Sequence, residues 1–175
     1  METDPEVMAK VAVRDEEAFS VLVERYGGRL LSVARRLLGS RADAEDAVQR
    51  ALLQCYTGAS SYRPQWAVST WLYRILTNVC VDELRRRATR TSYDAAQARP
   101  DAGHPLETRR DLDLHRALAR VPREARVLLA LRDAEGLSYG ELARVRGISV
   151  NTVKSQLARG KALLREELGK RGVLP

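Results

Sequence analysis

The stretch that most constrains this chain lies near its end, from Gly136 to Leu157. Ser138 and Ser149 each open an apolar-periodic run, where a serine oxygen accepts orphan N–H groups of a first helical turn. Glu141 stands three residues after Ser138, the spacing of a capping box. Gly147 falls where the first helix must end, and glycine accepts the left-handed backbone that helix exits use. Ala143 is small where two crossing helices would touch, and Val153 offers the second helix an apolar contact. The pattern predicts a short helix, a tight turn and a second helix. Such a helix-turn-helix lays its second helix in the DNA major groove. Between Ser138 and Arg165 the basic residues Arg144, Arg146, Lys154, Arg159, Lys161 and Arg165 face one carboxylate, Glu141. A solvated helical hairpin accounts for the spacing alone. Capping, glycine and charge bias together favour DNA binding.

The remaining composition agrees with a polyanionic partner. The chain has 175 residues, enough for one domain or two small ones, and a formal net charge of +7. Apolar residues make up 45%, which supports a packed core. Aromatics make up only 5%, which argues against sheet modules that stack bases on aromatic platforms. The 2 cysteines, Cys55 and Cys80, show no paired spacing and fall on apolar helix faces, so neither a disulfide framework nor a zinc site is indicated. His104 and His115 have no neighbours that suggest catalysis, and no cofactor-binding or metal-binding pattern occurs. The opening residues lack an apolar run, so no signal peptide or membrane insertion is expected and a cytoplasmic protein is.

In chain order, Asp15-Glu16-Glu17 opens a helical pattern whose stripe runs through Phe19, Leu22, Tyr26, Leu30, Val33, Leu37 and Leu38. Gly27-Gly28 suggests a bend and Gly39 a stop. Ser40 caps a second helix with Ala44, Ala47, Val48, Ala51, Leu52 and Cys55 inward. Its outer residues Asp43, Glu45, Asp46 and Gln49 form a polar, acidic patch, which spacing alone assigns to a wet helix face. Gly58, Ser60, Ser61 and Pro64 mark a loop over 57–67, and Ser69 is placed to cap the next helix. That helix carries Trp71, Leu72, Ile75, Leu76, Val79 and Leu84 and ends on Arg85-Arg86-Arg87. Helix-dipole effects account for one or two of these arginines; the block suits a phosphate-contacting edge. Pro100, Gly103 and Pro105 interrupt a linker over 89–108. Beyond it Leu112, Leu114, Ala117 and Leu118 form one helical face, and Pro122 suits the first turn of a helix burying Val127, Leu128 and Leu131. No alternating strand pattern occurs. The expected fold is all-α: two small helical domains, 1–88 and 109–175, joined by a flexible linker, the C-terminal one a helix-turn-helix.

With these residues assembled, the chain resembles bacterial RNA polymerase sigma factors of the extracytoplasmic-function (group four) branch of the sigma-70 family, from Glu17 to about Glu167. Asp43-Ala44-Glu45-Asp46-Ala47-Val48-Gln49 resembles the region-two helix that docks on the clamp helices of the polymerase large subunit. The acidic patch is therefore weighted toward docking, with Asp43, Glu45, Asp46 and Gln49 as contacts. The helix from Trp71 through Asn78, Asp82 and Arg85-Arg86-Arg87 is similar to the one reading the minus-ten element. The loop from Tyr62 to Trp66 is similar to the one capturing a flipped base there. The resemblance thus implies minus-ten contacts from Tyr62, Arg63, Trp66, Trp71, Asn78, Asp82, Arg85 and Arg86. Val121-Pro122, Arg126 and the helix-turn-helix resemble region four. That implies minus-thirty-five contacts from Ser149, Val150, Asn151, Thr152, Lys154, Ser155 and Arg159.

The implied function is transcription initiation: the factor binds core RNA polymerase at the clamp helices and flap, directs it to promoter DNA and assists strand opening. An anti-sigma factor is an implied partner. No bond chemistry is implied, so no catalytic residue, metal or cofactor is assigned. The chain departs from the family pattern at Arg50, where an acid is common, at Tyr56 for Trp, at Gln156 for Arg and at Gly160 for Ala. The alternative reading is a stand-alone helix-turn-helix regulator that binds duplex operators without polymerase. A small helical enzyme lacks a nucleophile–base constellation, and a pure adaptor leaves the basic second helix unexplained.

Overall fold

The computed structural model describes residues 1–93 and 109–174, with side chains over 1–90 and 109–174. The linker residues singled out above, from Asp94 to Thr108, lie outside the described residues. Eight α-helices and a single 3-10 turn, Ala59–Ser61, account for the order of the described chain, which contains no strand.

The first helix, α1 (Asp4–Ala12), lies within an acidic start in which the sequence reading placed no helix. It forms because the Glu6 carboxylate accepts from the Thr3 amide at 2.7 Å and the Thr3 hydroxyl at 2.8 Å, closing its first turn. Val7, Met8 and Val11 bury one face of α1 against α2 (Glu16–Leu38). Asp4 fastens its start to α2 through Arg25, at 2.7 Å, and the Tyr26 hydroxyl. Burial of Asp4 is outweighed by these donors, which hold its carboxyl below the usual range. Arg14 then takes a left-handed turn, with φ of 68°. Its guanidinium donates to the carbonyls of Tyr56 and Thr57 and lies over the Tyr56 ring. Those are orphan carbonyls at the end of α3 (Arg41–Gly58), so α1 and its exit turn cap a different helix.

Helix α2 runs unbroken through Gly27-Gly28, where a bend was expected. The buried stripe Leu22, Tyr26, Leu30 and Val33 spans the glycines and holds the helix against its neighbours. Ser40 caps α3 by accepting from the Asp43 amide at 3.3 Å, and Ala44, Ala47, Val48, Ala51 and Cys55 pack inward as the spacing indicates. Helix α4 (Val68–Tyr93) starts one residue before Ser69, so Ser69 lies in its first turn and is not the cap. It also continues through Thr89 to Tyr93, where the sequence reading had begun the linker. Glu83, 14% exposed at its side chain, ties this extension together with Arg90 at 3.2 Å and Arg87 at 3.6 Å.

The second module comprises α5 (Arg109–Leu118), α6 (Arg123–Glu135), α7 (Tyr139–Arg146) and α8 (Val150–Lys170). Pro122 is the N-cap of α6 rather than a first-turn residue. Arg126 holds the turn before it, donating to the carbonyls of Ala119 and Val121 at 3.0 Å each. Gly160 on α8 lets α6 approach closely. A Cβ there would lie 3.0 Å from the Ala125 Cβ and 3.2 Å from a Leu129 methyl. Gly160→Val should therefore cost about 1–3 kcal/mol of stability through overpacking, read as a lowered urea midpoint at unchanged m-value. An unshifted midpoint would show that α6 and α8 separate freely.

The two modules do not stand apart. Val127, Leu128, Leu131, Leu142, Val145, Val153 and Leu157 from the second join Leu22, Leu30, Leu72, Tyr73 and Leu76 from the first in one apolar cluster. Helix α6 lies on α2, and α7 lies on α4. Cys55 and Cys80 sit inside the first module, and burial pushes both thiols up to about 12, so neither is a thiolate at neutral pH.

Candidate nucleic-acid interface

The helix-turn-helix forms as its local chemistry dictates. The Ser138 oxygen accepts from the Glu141 amide at 3.2 Å, and the Glu141 carboxylate accepts from the Ser138 amide at 2.7 Å. Gly147 ends α7 with φ of 65°. The Ser149 oxygen accepts from the Thr152 amide at 3.1 Å and shares a hydroxyl contact with Thr152 at 2.9 Å. Ala143 and Val153 are buried where the two helices cross. The start of α8 presents Ser149, Val150, Asn151, Lys154, Ser155 and Arg159 to solvent, with Thr152 half-buried. No acid lies in its first turn. Unopposed amide dipoles and exposed cations on one helix end are the physical requirement for approaching phosphates. Gln156 is half-buried, with a side-chain oxygen that lacks a protein partner.

In the first module the loop before α4 is closed on itself. The Tyr62 hydroxyl donates to the Trp66 carbonyl at 2.6 Å, and the Trp66 amide to the Arg63 carbonyl at 3.0 Å. Tyr62 meets Trp71 edge-on with ring centres 5.6 Å apart, and Arg74 covers Trp66 at 5.4 Å. Both tryptophans are half-buried. Arg63 is exposed, as are Asn78, Asp82, Arg85 and Arg86 along α4. By helical spacing the four on α4 share one face, with Asp82 at 3.7 Å from Arg85. Arg87 differs from its two neighbours in being structural. It donates to the Leu38 carbonyl at 2.8 Å and to Asp43, clamping the end of α4 to the start of α3.

The acidic patch on α3 is divided by the same clamp. Glu45, Asp46 and Gln49 are exposed, whereas Asp43 is half-buried against Arg87. Asp46 lies 3.0 Å from Arg50, and Arg50 reaches Glu83 at 3.7 Å. The basic residue at the position where an acid is common therefore has an internal carboxylate to serve. Leu53, one turn beyond Gln49, is 62% exposed and adds an apolar element that periodicity did not single out. Also unforeseen are Arg29, Glu135 and Arg146, which connect the modules. Glu135, its side chain only 7% exposed, accepts from Arg29 Nε at 2.8 Å and from the Tyr73 hydroxyl at 2.6 Å. Arg146 donates to Thr77 at 3.1 Å, Asn78 at 3.3 Å and Glu124 at 3.1 Å.

Among the described residues no cluster of three or more His, Cys, Asp or Glu is placed to hold a metal, and no helix is long and apolar enough to cross a membrane. What the geometry offers is surfaces: an acidic helix face, a basic helix edge beside an aromatic loop, and a capped recognition helix. Such a set is that of a helical protein of two modules whose exposed basic surfaces suit a polyanionic partner. Residues 22–90 match sigma-70 region 2 and residues 111–164 match sigma-70 region 4. The extracytoplasmic-function sigma factor SigM of Mycobacterium tuberculosis is 36% identical over 167 residues, covering 95% of this chain and 85% of that protein. The sigma-E factor of Escherichia coli K12 is 30% identical over 174 residues, covering 91% of each. Among solved structures, CnrH in complex with the cytosolic domain of CnrY is similar with a TM-score of 0.73 at 25% identity, over 94% of this chain and 96% of that one. The sigma factor RpoE of Bartonella quintana, in complex with the anti-sigma factor NepR, shares the fold with a TM-score of 0.67 at 23% identity, over 86% of this chain and 96% of that one. This chain belongs to the extracytoplasmic-function sigma factors of RNA polymerase.

Proposed function

We propose that the chain binds core RNA polymerase through the outward face of α3, with Glu45, Asp46 and Gln49 as direct contacts and Asp43 holding the helix end through Arg87. The basic edge of α4, with Asn78, Asp82, Arg85 and Arg86, engages the downstream promoter element as its strands part. The loop from Tyr62 to Trp66, backed by Trp71, holds an unstacked base, and Arg63 lies along the adjoining backbone. Flipping a base costs a few kcal/mol, which the assembled polymerase complex must supply. The start of α8 reads the upstream element: Ser149, Val150, Asn151, Thr152 and Ser155 lie toward base edges, Lys154 and Arg159 toward phosphates. The functional division follows 1–93, to the end of α4, and 109–175, with the residues between serving as the connection. The factor performs no bond chemistry; nucleotide addition belongs to the polymerase. It acts in the cytoplasm, and an anti-sigma factor holds it in check.

The observation that carries this reading is the occurrence, in order and in one chain, of sigma-70 regions 2 and 4. A stand-alone regulator needs no region 2. The test is reconstitution with core polymerase on a promoter library, scoring run-off transcripts. Sigma activity predicts that the chain binds core and yields a defined subset of transcripts. Duplex binding by the free chain, with neither core binding nor initiation, would favour the operator-binding regulator instead.

A further inference from the structure

We propose that a recess bounded by α5, α6, α8 and the end of α2 binds a small amphiphilic anion, a single aliphatic chain ending in a carboxylate. None of its lining residues belongs to the three surfaces assigned above.

The recess has a volume of about 360 Å³. Small-molecule sites run from roughly 300 to 1,000 Å³, so this one suits a ligand at the small end of that range. Its apolar lining comes from Leu114 and Leu118 of α5, Leu129 and Ala130 of α6 and Leu164 of α8. Among the described residues no Phe, Tyr or Trp lines it. Branched aliphatic walls give a hydrocarbon chain many dispersion contacts and give a planar base little to stack on.

Packing on either side keeps the recess in place. Gly160 directly precedes Lys161 on α8, and a Cβ at Gly160 would fall 3.2 Å from a Leu129 methyl. Helices α6 and α8 therefore meet tightly beside the recess. On the opposite side the His115 imidazole lies against Gly39, which ends α2 with φ of 74°; a Cβ there would stand 3.7 Å from His115 Nδ1.

The rim decides the class of ligand. Arg36, His115, Arg132 and Lys161 border the leucines, against one carboxylate, Asp133. Asp133 is paired with Arg36, so its charge is already balanced. Arg132 donates to the Leu137 carbonyl at 2.7 Å and lies over the Tyr139 ring. Lys161 is exposed on the same rim. A chain laid on the leucines thus brings its head to an ammonium, where a carboxylate accepts a charge-assisted hydrogen bond. An uncharged head leaves that cation unused, and an amine head is repelled. A two-chain membrane lipid exceeds the volume, which favours a free fatty carboxylate.

The test titrates the full chain with octanoate, well below micelle formation, and follows backbone amide shifts and the thermal midpoint. Binding should saturate, move amides of α5, α6 and α8 that border the recess, and raise the midpoint with ligand concentration. Octanol, which keeps the chain, and acetate, which keeps the head, should each bind about tenfold more weakly or worse, and octylammonium should not bind. Lys161→Glu should weaken octanoate by about tenfold or more at an unchanged ligand-free midpoint, and Lys161→Arg should restore it. Lys154→Glu, the same charge change elsewhere on α8, should leave octanoate binding as it was. Leu164→Trp, which fills the recess, should abolish binding with Lys161 in place. Should Leu164→Trp fail to fold, the ligand series and the lysine variants still decide. Equal binding of octanoate and octanol overturns the head-group site. Absence of saturable octanoate binding overturns the recess, as does binding that Lys161→Glu and Lys154→Glu weaken alike. Association with anionic lipid vesicles in place of free octanoate also overturns it, in favour of a general basic surface. No arm involves polymerase or DNA, so the sigma reading stands or falls separately, by run-off transcripts.

Discussion

Leu142→Ala is expected to lower the unfolding free energy by about 2–5 kcal/mol, the cost of a cavity left by a fully buried leucine. The effect is large because α7 has so little else. It is a helix of 8 residues with Leu142, Ala143 and Val145 as its buried positions, and a helix this short is marginal without tertiary packing. Its capping box organises the first turn and cannot replace the lost contact. Since Leu142 belongs to the apolar cluster shared by both modules, urea unfolding should remain one transition with a lower midpoint. Binding of upstream duplex by the polymerase complex should weaken with it, because α7 orients α8. A loss of stability below about 1 kcal/mol, inside the spread of ordinary surface changes, would mean that α7 is held by its caps and not by its core.

Asp46→Arg should reduce affinity for core polymerase by about tenfold or more, with no change in unfolding midpoint. Removing one partner of a buried charged contact in an interface typically costs about 2–5 kcal/mol, and 1.4 kcal/mol is tenfold in affinity. Among the described residues Asp46 pairs with Arg50, a surface ion pair of the kind worth roughly 0–1 kcal/mol. Asp43→Arg makes the informative contrast. Asp43 joins Arg87, which also holds the Leu38 carbonyl, so this change should lower stability as well as docking. Core polymerase that binds the Asp46→Arg chain as tightly as wild type sinks the assignment of α3 as the docking helix.

How far these features could be read beforehand depended on the range over which their chemistry acts. The helix-turn-helix was legible because Ser138, Glu141, Gly147 and Ser149 act on backbone groups within a single turn. The inward faces of α2 and α3 followed from three-and-four spacing. The same logic read Gly27-Gly28 as an interruption, whereas the helix continues through it, because the buried stripe on either side of the pair outweighs the local cost of glycine. Helix α1 carries its own capping pair, Thr3 and Glu6, and the spacing of Val7, Met8 and Val11, so its signal was present and overlooked beneath the acidic start. The seam between the modules was not legible at all. Arg29 and Glu135 are 106 positions apart, and each alone looks like a solvated charge. Spacing could not tell a docking patch from a wet helix face; the family resemblance supplied the weighting toward docking, and the Arg87 clamp separates Asp43 from its neighbours.

The apolar seam under α6 has a practical consequence for anyone who divides this chain. Val127, Leu128 and Leu131 are buried partly by helices of the other module, as Tyr73 is by α6. Either half prepared alone therefore inherits a greasy stripe that its partner normally covers. Such halves should prefer to aggregate or to find one another, so mixing the two fragments is a gentler route to well-behaved protein than polishing either one by itself.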